Sequence, residues 1–180
     1  MIMVWLLWNR RPPRPLPLQQ WRPPDPQCFK VNFDAAVFRR SSLASIGVIV
    51  CNHDGVAMGA LSLPIPMAQS VADLEALACL KAVQFALEIG LTRVVFEGDS
   101  AIIINALLHD ASELASFGNI LDDICLHSSV FQFVEFVHVS RNCNSVADAL
   151  TKKAKSNGGA QVWLHNLPTD IVPLVLRDVH

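Results

Sequence analysis

The stretch Phe29-Lys-Val-Asn-Phe-Asp34-Ala-Ala-Val-Phe38 decides the fold, because it alternates like a strand and yet contains an acidic residue. Its odd-numbered positions are apolar, and Asn32 and Asp34 fall on the opposite face. Aspartate is disfavoured within strands, and an ionised carboxylate in an apolar segment is destabilising unless something compensates its charge. A divalent cation would do so, which makes Asp34 a candidate metal ligand.

Three further acidic residues occupy comparable positions on other predicted elements. Glu75 lies early in a predicted helix, Asp99 directly follows a predicted strand, and Asp148 lies on a late predicted helix. Each has an ordinary explanation alone, since negative charge suits the first turn of a helix and aspartate is a favourable N-cap. Four carboxylates in the order strand, helix, strand end and late helix are better explained together, as the ligands of a two-metal nuclease site.

The remaining pattern predicts an α/β fold. Three predicted strands come first, over 29–38, 44–51 and 56–63, with a hairpin turn at Asn52-His-Asp-Gly55. Predicted helices over 70–90, 100–109, 113–127 and 145–155 then alternate with strands over 91–97 and 130–139. Ser70, three residues before Asp73, is the expected N-cap of the first helix. We therefore expect a five-stranded mixed sheet, an antiparallel meander of three strands plus parallel strands, with helices on both faces.

Composition indicates a globular chain with an uneven charge. Of the 180 residues, 52% are hydrophobic and 17% are charged, which is typical of a folded domain. The net charge is −2, but residues 1–28 carry four arginines against one aspartate, so the remainder carries −5. Such an acidic body disfavours a broad nucleic-acid-binding surface, because phosphate binding depends on Lys and Arg.

The chain divides into three predicted parts. Residues 1–27 form a basic lead-in, expected to be flexible because residues 10–27 contain seven prolines. The folded domain is predicted over 28–157, and residues 158–180 form a C-terminal extension expected to pack loosely. We expect a monomer.

Two observations bear on the compartment. The five cysteines include no C-x-x-C pair, which disfavours a zinc site and favours a reducing setting. The apolar start, residues 1–8, is too short to span a bilayer, and its positive charges follow it instead of preceding it. We therefore expect an intracellular protein, nuclear or cytoplasmic, with no signal peptide, transmembrane segment or membrane partner.

These motifs, in this order, resemble the ribonuclease H fold. More narrowly, they are similar to the plant reverse-transcriptase-like ribonuclease H domains related to the ends of non-LTR retroelements. The matching stretches are Trp21-Arg-Pro-Pro, Lys30-Val-Asn-Phe-Asp34-Ala-Ala, Ile46-Gly-Val-Ile-Val, Asp73-Leu-Glu75-Ala-Leu-Ala, Val95-Phe-Glu-Gly-Asp99-Ser, His138-Val-Ser-Arg-Asn-Cys-Asn144-Ser-Val-Ala-Asp148 and Val162-Trp-Leu-His-Asn-Leu-Pro. The resemblance spans residues 21–172.

The resemblance implies an endonuclease that cuts the RNA strand of an RNA–DNA hybrid with two Mg²⁺ ions, for which Mn²⁺ could substitute. It implies that Asp34 bridges both metals, that Glu75 and Asp99 complete one metal site, and that Asp148 holds the other. One departure is Ala35, where the family usually has glycine after the first aspartate.

Four residues are candidate nucleic-acid contacts, namely Asn32, Arg39, Arg141 and Asn144. For Arg141 and Asn144 the alternative is a role in bracing the loop, which we favour over phosphate contact. His138 stands ten residues before Asp148, the spacing of the mobile histidine that assists product release in active relatives. The same residue also fits a strand end before a shortened loop, in which case the catalytic histidine is absent, and we favour the shortened loop.

Two alternatives to an active nuclease stay open. Residues 100–127 contain no Lys or Arg, so the basic protrusion that helps some relatives grip the hybrid is missing. One alternative is therefore a catalytically weak or inactive nucleic-acid-binding module derived from a retroelement. The other is a protein-interaction domain that uses the proline-rich lead-in and the apolar tail around Trp163.

Overall fold

A computed structural model describes residues 20–68, 70–109, 116–157 and 159–179. The strands in these ranges are β1 Phe29–Phe38, β2 Leu43–Cys51, β3 Ala57–Pro66, β4 Arg93–Gly98, β5 Phe133–His138 and β6 Gln161–Leu164. The α-helices are α1 Val71–Glu88, α2 Ala101–His109, α3 Gly118–Ser128, α4 Ser145–Asn157 and α5 Val172–Val179. Short 3-10 turns occupy Arg39–Ser41 and Arg141–Asn144.

The strands form one mixed sheet in the order β5-β4-β1-β2-β3-β6. The antiparallel meander β1-β2-β3 and the parallel pairing of β4 with β1 and β5 confirm the predicted topology. The sheet has six strands, however, where five were predicted. The sixth is β6, which pairs antiparallel with β3 and comes from the extension that we expected to pack loosely.

Helices cover both faces of the sheet, as predicted. The larger core lies between one face and α1, α2 and α3, and it contains the fully buried Phe33, Leu74 and Phe96. The smaller core lies on the other face, where Val146 and Leu150 of α4 pack with residues of β2, β3 and α5. Among the described helices, none combines the length and apolar character that crossing a membrane requires.

The start of α1 matches the sequence prediction. The Asp73 N–H donates to Ser70 Oγ at 3.1 Å, so Ser70 is the N-cap and the helix begins at Val71. This start places Glu75 in the second turn, next to the sheet. The predicted start of α3 near residue 113 lies outside the described residues.

Strand β3 continues through Pro64 and Pro66, beyond residue 63, where the strand was predicted to end. Strand β6 pairs only with residues Gly59–Ser62. Both prolines therefore lie on the part of β3 that has no outer neighbour among the described strands, a position where proline is tolerated.

Helix α4 lies unusually close to β2 because small residues of the sheet face it. A Cβ atom at Gly47 would lie 2.2 Å from the Ala147 carbonyl oxygen and 2.8 Å from the Thr151 nitrogen. Beside this contact, Ser45 Oγ donates to the Thr151 carbonyl oxygen at 2.7 Å. Ser62 of β3 donates in the same way to Leu150 at 2.8 Å. The sheet thus fixes both the distance and the rotation of α4.

Gly47→Ala is expected to destabilise the domain by about 1–3 kcal/mol, because the new methyl group must push α4 away from β2. Chemical denaturation would measure this loss. Gly159→Ala is the matched control, since a Cβ there meets no atom within 4 Å. Equal stability of the two variants would contradict the close contact.

Candidate functional site

Three of the predicted carboxylates meet where β4 ends beside β1, two internal strands of the sheet. The parallel pairing of β1 with β4 aligns Asn32 with Glu97, so Asp34 and Asp99 come side by side two residues later. Glu75 reaches the same point from α1, and one carboxylate oxygen from each residue lies within 4.8 Å of the others. This acidic triad, Asp34, Glu75 and Asp99, could hold a metal ion.

Gly98 lets the chain turn into the triad at the end of β4. A Cβ atom there would lie 2.6 Å from the ring of Phe33. The ring is fully buried and stands next to Asp34 in the sequence. The absence of a side chain at position 98 therefore allows β1 and β4 to pack closely where their carboxylates converge.

Asp148 lines the same open cleft as the triad, which has a volume of about 750 Å³. It is not one of the three residues whose oxygens lie within 4.8 Å of one another. Its side chain is 44% exposed, and it forms an ion pair with Lys152 one turn further along α4. All four predicted carboxylates thus share one cleft, with Asp148 on its more exposed side.

The charges of the triad are poorly compensated. Burial, with the charges of Asp99 and Asp148, raises the pKa of Asp34 to about 7. Burial, with the charges of Asp34 and Asp99, raises the pKa of Glu75 to about 8. Glu75 Oε2 is buried and has no hydrogen-bond partner in the described part of the chain. A buried acceptor without a donor, among crowded carboxylates, fits a divalent cation.

The family model described as "Reverse transcriptase-like" matches residues 32–154, which contain all four carboxylates. The chain belongs to this family. No curated protein matches its sequence. Neither comparison assigns this member of the reverse transcriptase-like family to plants or to non-LTR retroelements, so that part of the resemblance stays a prediction.

Solved structures confirm the ribonuclease H fold of this reverse transcriptase-like chain. RNase H1 from the halophilic archaeon Halobacterium salinarum is 21% identical, with a TM-score of 0.65, over 72% of this chain and 98% of that one. LC11-RNase H1, solved in complex with an RNA/DNA hybrid, is 18% identical, with a TM-score of 0.63, over 72% and 98%. The prototype foamy virus protease-reverse transcriptase is 16% identical, with a TM-score of 0.54, over 70% and 20%.

Arg141 places a positive charge beside the acidic triad. Its Nε donates to Asp99 Oδ2 at 3.2 Å from the 3-10 turn before α4. The guanidinium lowers the pKa of Asp34 and of Glu75, which partly offsets the effect of their burial. Its side chain is 93% exposed, so Arg141 stands at the rim of the cleft.

His138 is the last residue of β5, and its Nε2 lies 3.2 Å from the Asp99 carbonyl oxygen. Residues 139–144 connect it to α4, and most of this connection is the 3-10 turn Arg141–Asn144. The shortened loop that we favoured stays a prediction. The role of His138 stays a prediction.

Asn32 and Asn144, two predicted nucleic-acid contacts, lie in the interior and are each 3% exposed. Asn32 donates to Glu97 Oε2 at 3.1 Å and accepts from Trp21 Nε1 at 3.2 Å. Asn144 donates to the Phe33 carbonyl oxygen at 2.8 Å. Their amides join β1, β4 and the turn before α4 through hydrogen bonds, and nucleic-acid contact by either residue stays a prediction. Arg39 is exposed in the turn between β1 and β2, where nucleic-acid contact stays a prediction.

A buried ion pair that was not predicted from the sequence joins β1 and β4 near the site. Lys30 Nζ lies 2.6 Å from Glu97 Oε1, with both side chains less than 10% exposed. Lys30 also donates to the Arg22 carbonyl oxygen and lies over the Trp21 ring, 4.9 Å from its centroid. The end of the lead-in therefore contacts β1, although the lead-in was expected to be flexible. The only signal in the sequence was a residue of opposite charge in each of two neighbouring strands, Lys30 in β1 and Glu97 in β4.

Arg177 is a second residue that the sequence analysis missed. It comes from α5 and lines the carboxylate cleft. Its Nη2 donates to Ser145 Oγ at 3.4 Å, at the start of α4. No motif pointed to it, because the extension was not expected to reach the site.

Asp34→Asn should stabilise the metal-free protein at alkaline pH. The raised pKa of Asp34 means that the folded state holds a proton which the unfolded state releases, so stability falls as pH rises from about 4 to about 7. Asparagine removes this dependence. We expect the free energy of unfolding of Asp34→Asn, relative to that of wild type, to increase by about 2 kcal/mol between pH 5 and pH 8.

Urea denaturation in a chelator at both pH values would measure this change. Asp122→Asn, on the exposed face of α3, is the control and should show the same difference from wild type at both. An advantage of Asp34→Asn that does not change with pH would show that Asp34 is ionised throughout.

Proposed function

We propose that this chain is a metal-dependent endonuclease that hydrolyses the RNA strand of RNA–DNA hybrids. The observation that carries the proposal is the acidic triad, with three carboxylate oxygens within 4.8 Å of one another. The triad lies in a ribonuclease H fold, and a protein of that fold was solved in complex with an RNA/DNA hybrid. A cleft that is open to solvent and lined by all four carboxylates gives a phosphodiester access to them.

The proposed metals are two Mg²⁺ ions, with Mn²⁺ as a substitute. Asp34, Glu75 and Asp99 would hold one ion, and Asp34 and Asp148 would hold the other. Carboxylate oxygens are the ligands that Mg²⁺ and Mn²⁺ favour, and the buried Glu75 Oε2 lacks any other partner among the described residues. When bound, such a pair of ions activates the attacking water and stabilises the leaving oxygen of an in-line displacement.

Neighbouring residues and burial set the protonation and the orientation of the proposed metal ligands. Glu75 and Asp34 are partly protonated at neutral pH, so each must release its proton before it can serve as an anionic ligand. Arg141 orients Asp99 through the Nε–Oδ2 hydrogen bond. Lys152 holds Asp148 in an ion pair on the same helix.

A second candidate is the weakly active or inactive nucleic-acid-binding module. It is favoured by the ion pairs of Arg141 with Asp99 and of Lys152 with Asp148, which place cations on two of the four carboxylates. The compact connection between β5 and α4 also favours it, because it leaves little chain for a mobile histidine loop. Binding of a hybrid without turnover is the property that separates this candidate from the nuclease.

The deciding experiment is cleavage of a labelled RNA–DNA hybrid in Mg²⁺ and in Mn²⁺. Wild type should cut the RNA strand, and Asp34→Asn should reduce cutting to background, because both proposed metal sites share that carboxylate. Asp122→Asn should cut like wild type. If folded wild type cuts in neither metal, the binding module becomes the better description. Equal cutting by wild type and Asp34→Asn would place the activity outside this cleft.

Mg²⁺ affinity should increase with pH, because metal binding competes with the protons on Asp34 and Glu75. We expect an increase of about 10- to 30-fold per pH unit between pH 6 and pH 8, because two protons are displaced. Calorimetry in two buffers with different ionisation enthalpies would detect the released protons. An affinity that is constant over this range would show that the ligands are already ionised.

A further inference from the structure

The carboxylate cleft contains two basic residues, Arg141 and Arg177, among the described residues that line it. Arg141 forms an ion pair with Asp99, so much of its charge is compensated. No carboxylate pairs with Arg177 among the side chains that the structure describes. Arg177 is exposed, and it contacts an uncharged hydroxyl, Ser145 Oγ, at 3.4 Å. An uncompensated guanidinium thus stands at the edge of an acidic cleft.

Helix α5, which carries Arg177, is firmly attached to the domain. Ile171 and Val175 are 2% and 7% exposed and pack with Val146 and Leu150 of α4 in the smaller core. Just before the helix, Asp170 forms an ion pair with Lys153 of α4, with an Nζ–Oδ1 distance of 2.9 Å. The position of Arg177 is therefore fixed relative to α4, the helix that carries Asp148.

Because the cleft is acidic, a basic residue such as Arg177 is needed there to attract a phosphate. The four carboxylates carry at most −4, which two divalent cations would only neutralise, so attraction of a phosphate backbone must come from other residues. Residues 100–127 supply no Lys or Arg for this purpose. Arginine is well suited to the task, because its planar fork can donate two hydrogen bonds to one phosphate.

We propose that Arg177 binds a backbone phosphate of the nucleic acid and positions the strand across the carboxylate cleft. The hydrogen bond to Ser145 uses one N–H group and leaves the others for the phosphate. Arg177 is thus a positioning residue supplied by the C-terminal extension, outside the segment 32–154 that matches the family. The proposal rests on the proposed nucleic-acid function of the cleft.

The test is fluorescence anisotropy with a labelled RNA–DNA hybrid, in a chelator, over a range of salt concentrations. Arg177→Gln should weaken binding about 3- to 10-fold and reduce the slope of log affinity against log salt by about 1, as expected for one lost phosphate contact. Arg177→Lys keeps the charge and should keep the slope. Lys81→Gln removes a charge on α1, away from the residues that line the cleft, and should change neither quantity.

The outcomes separate this proposal from the nuclease. Wild-type affinity and slope in Arg177→Gln overturn the role of Arg177, whether or not wild type cuts the hybrid. A slope reduced in Arg177→Gln and restored in Arg177→Lys supports it, even if wild type binds without cutting and the nuclease proposal fails. Equal losses in Arg177→Gln and Arg177→Lys, with thermal unfolding shifted in both, would assign Arg177 a structural role and overturn the proposal.

Discussion

The contact between Gly47 and helix α4 determines where the other parts of the site can lie. Gly47 is the residue paired with Asp34 across β1 and β2, so α4 packs on the sheet beside Asp34, on the same face as its side chain. The same helix carries Asp148 and supports α5 through the smaller core. A side chain at position 47 would therefore displace both Asp148 and the support of Arg177.

The acidic triad illustrates a conflict between stability and function. Its like charges are brought together in a partly buried place, which raises the pKa values of Asp34 and Glu75. The surrounding structure must hold these groups against their repulsion. It does so with a rigid frame, which includes the buried Phe33, the Lys30–Glu97 ion pair and the Asn32 amide. A strained polar cluster inside a well-packed frame is typical of a functional site.

The sequence predicted the features that depend on local pattern. The alternation of β1, the cap at Ser70 and the order of the four carboxylates all follow from residue type and spacing, and the structure contains them. Asn32 shows the limit of such reasoning. Alternation puts it on the same face as Asp34, but cannot show that Trp21 and the turn before α4 cover that part of the face. Burial of this kind depends on segments distant in sequence.

The extension was mispredicted for a related reason. Strand β6 is four residues long, and short elements carry little periodic signal. Its pairing depends on β3 offering an open edge, a property of the assembled sheet. The reach of α5 to the cleft depends in turn on α4, so Arg177 could not have been connected with Asp148 from spacing alone.

Strand β6 also limits the strand edge that the sheet exposes to other molecules. Without it, the meander would end in the ten-residue strand β3, whose open edge could template strands of other molecules. Strand β6 blocks residues Gly59–Ser62, and Pro64 and Pro66 interrupt the donors beyond them. The new edge is short, so little of it is available for intermolecular pairing. In the folded domain, the C-terminal extension thus covers part of a strand edge that could otherwise pair with another molecule, in addition to its place beside the cleft.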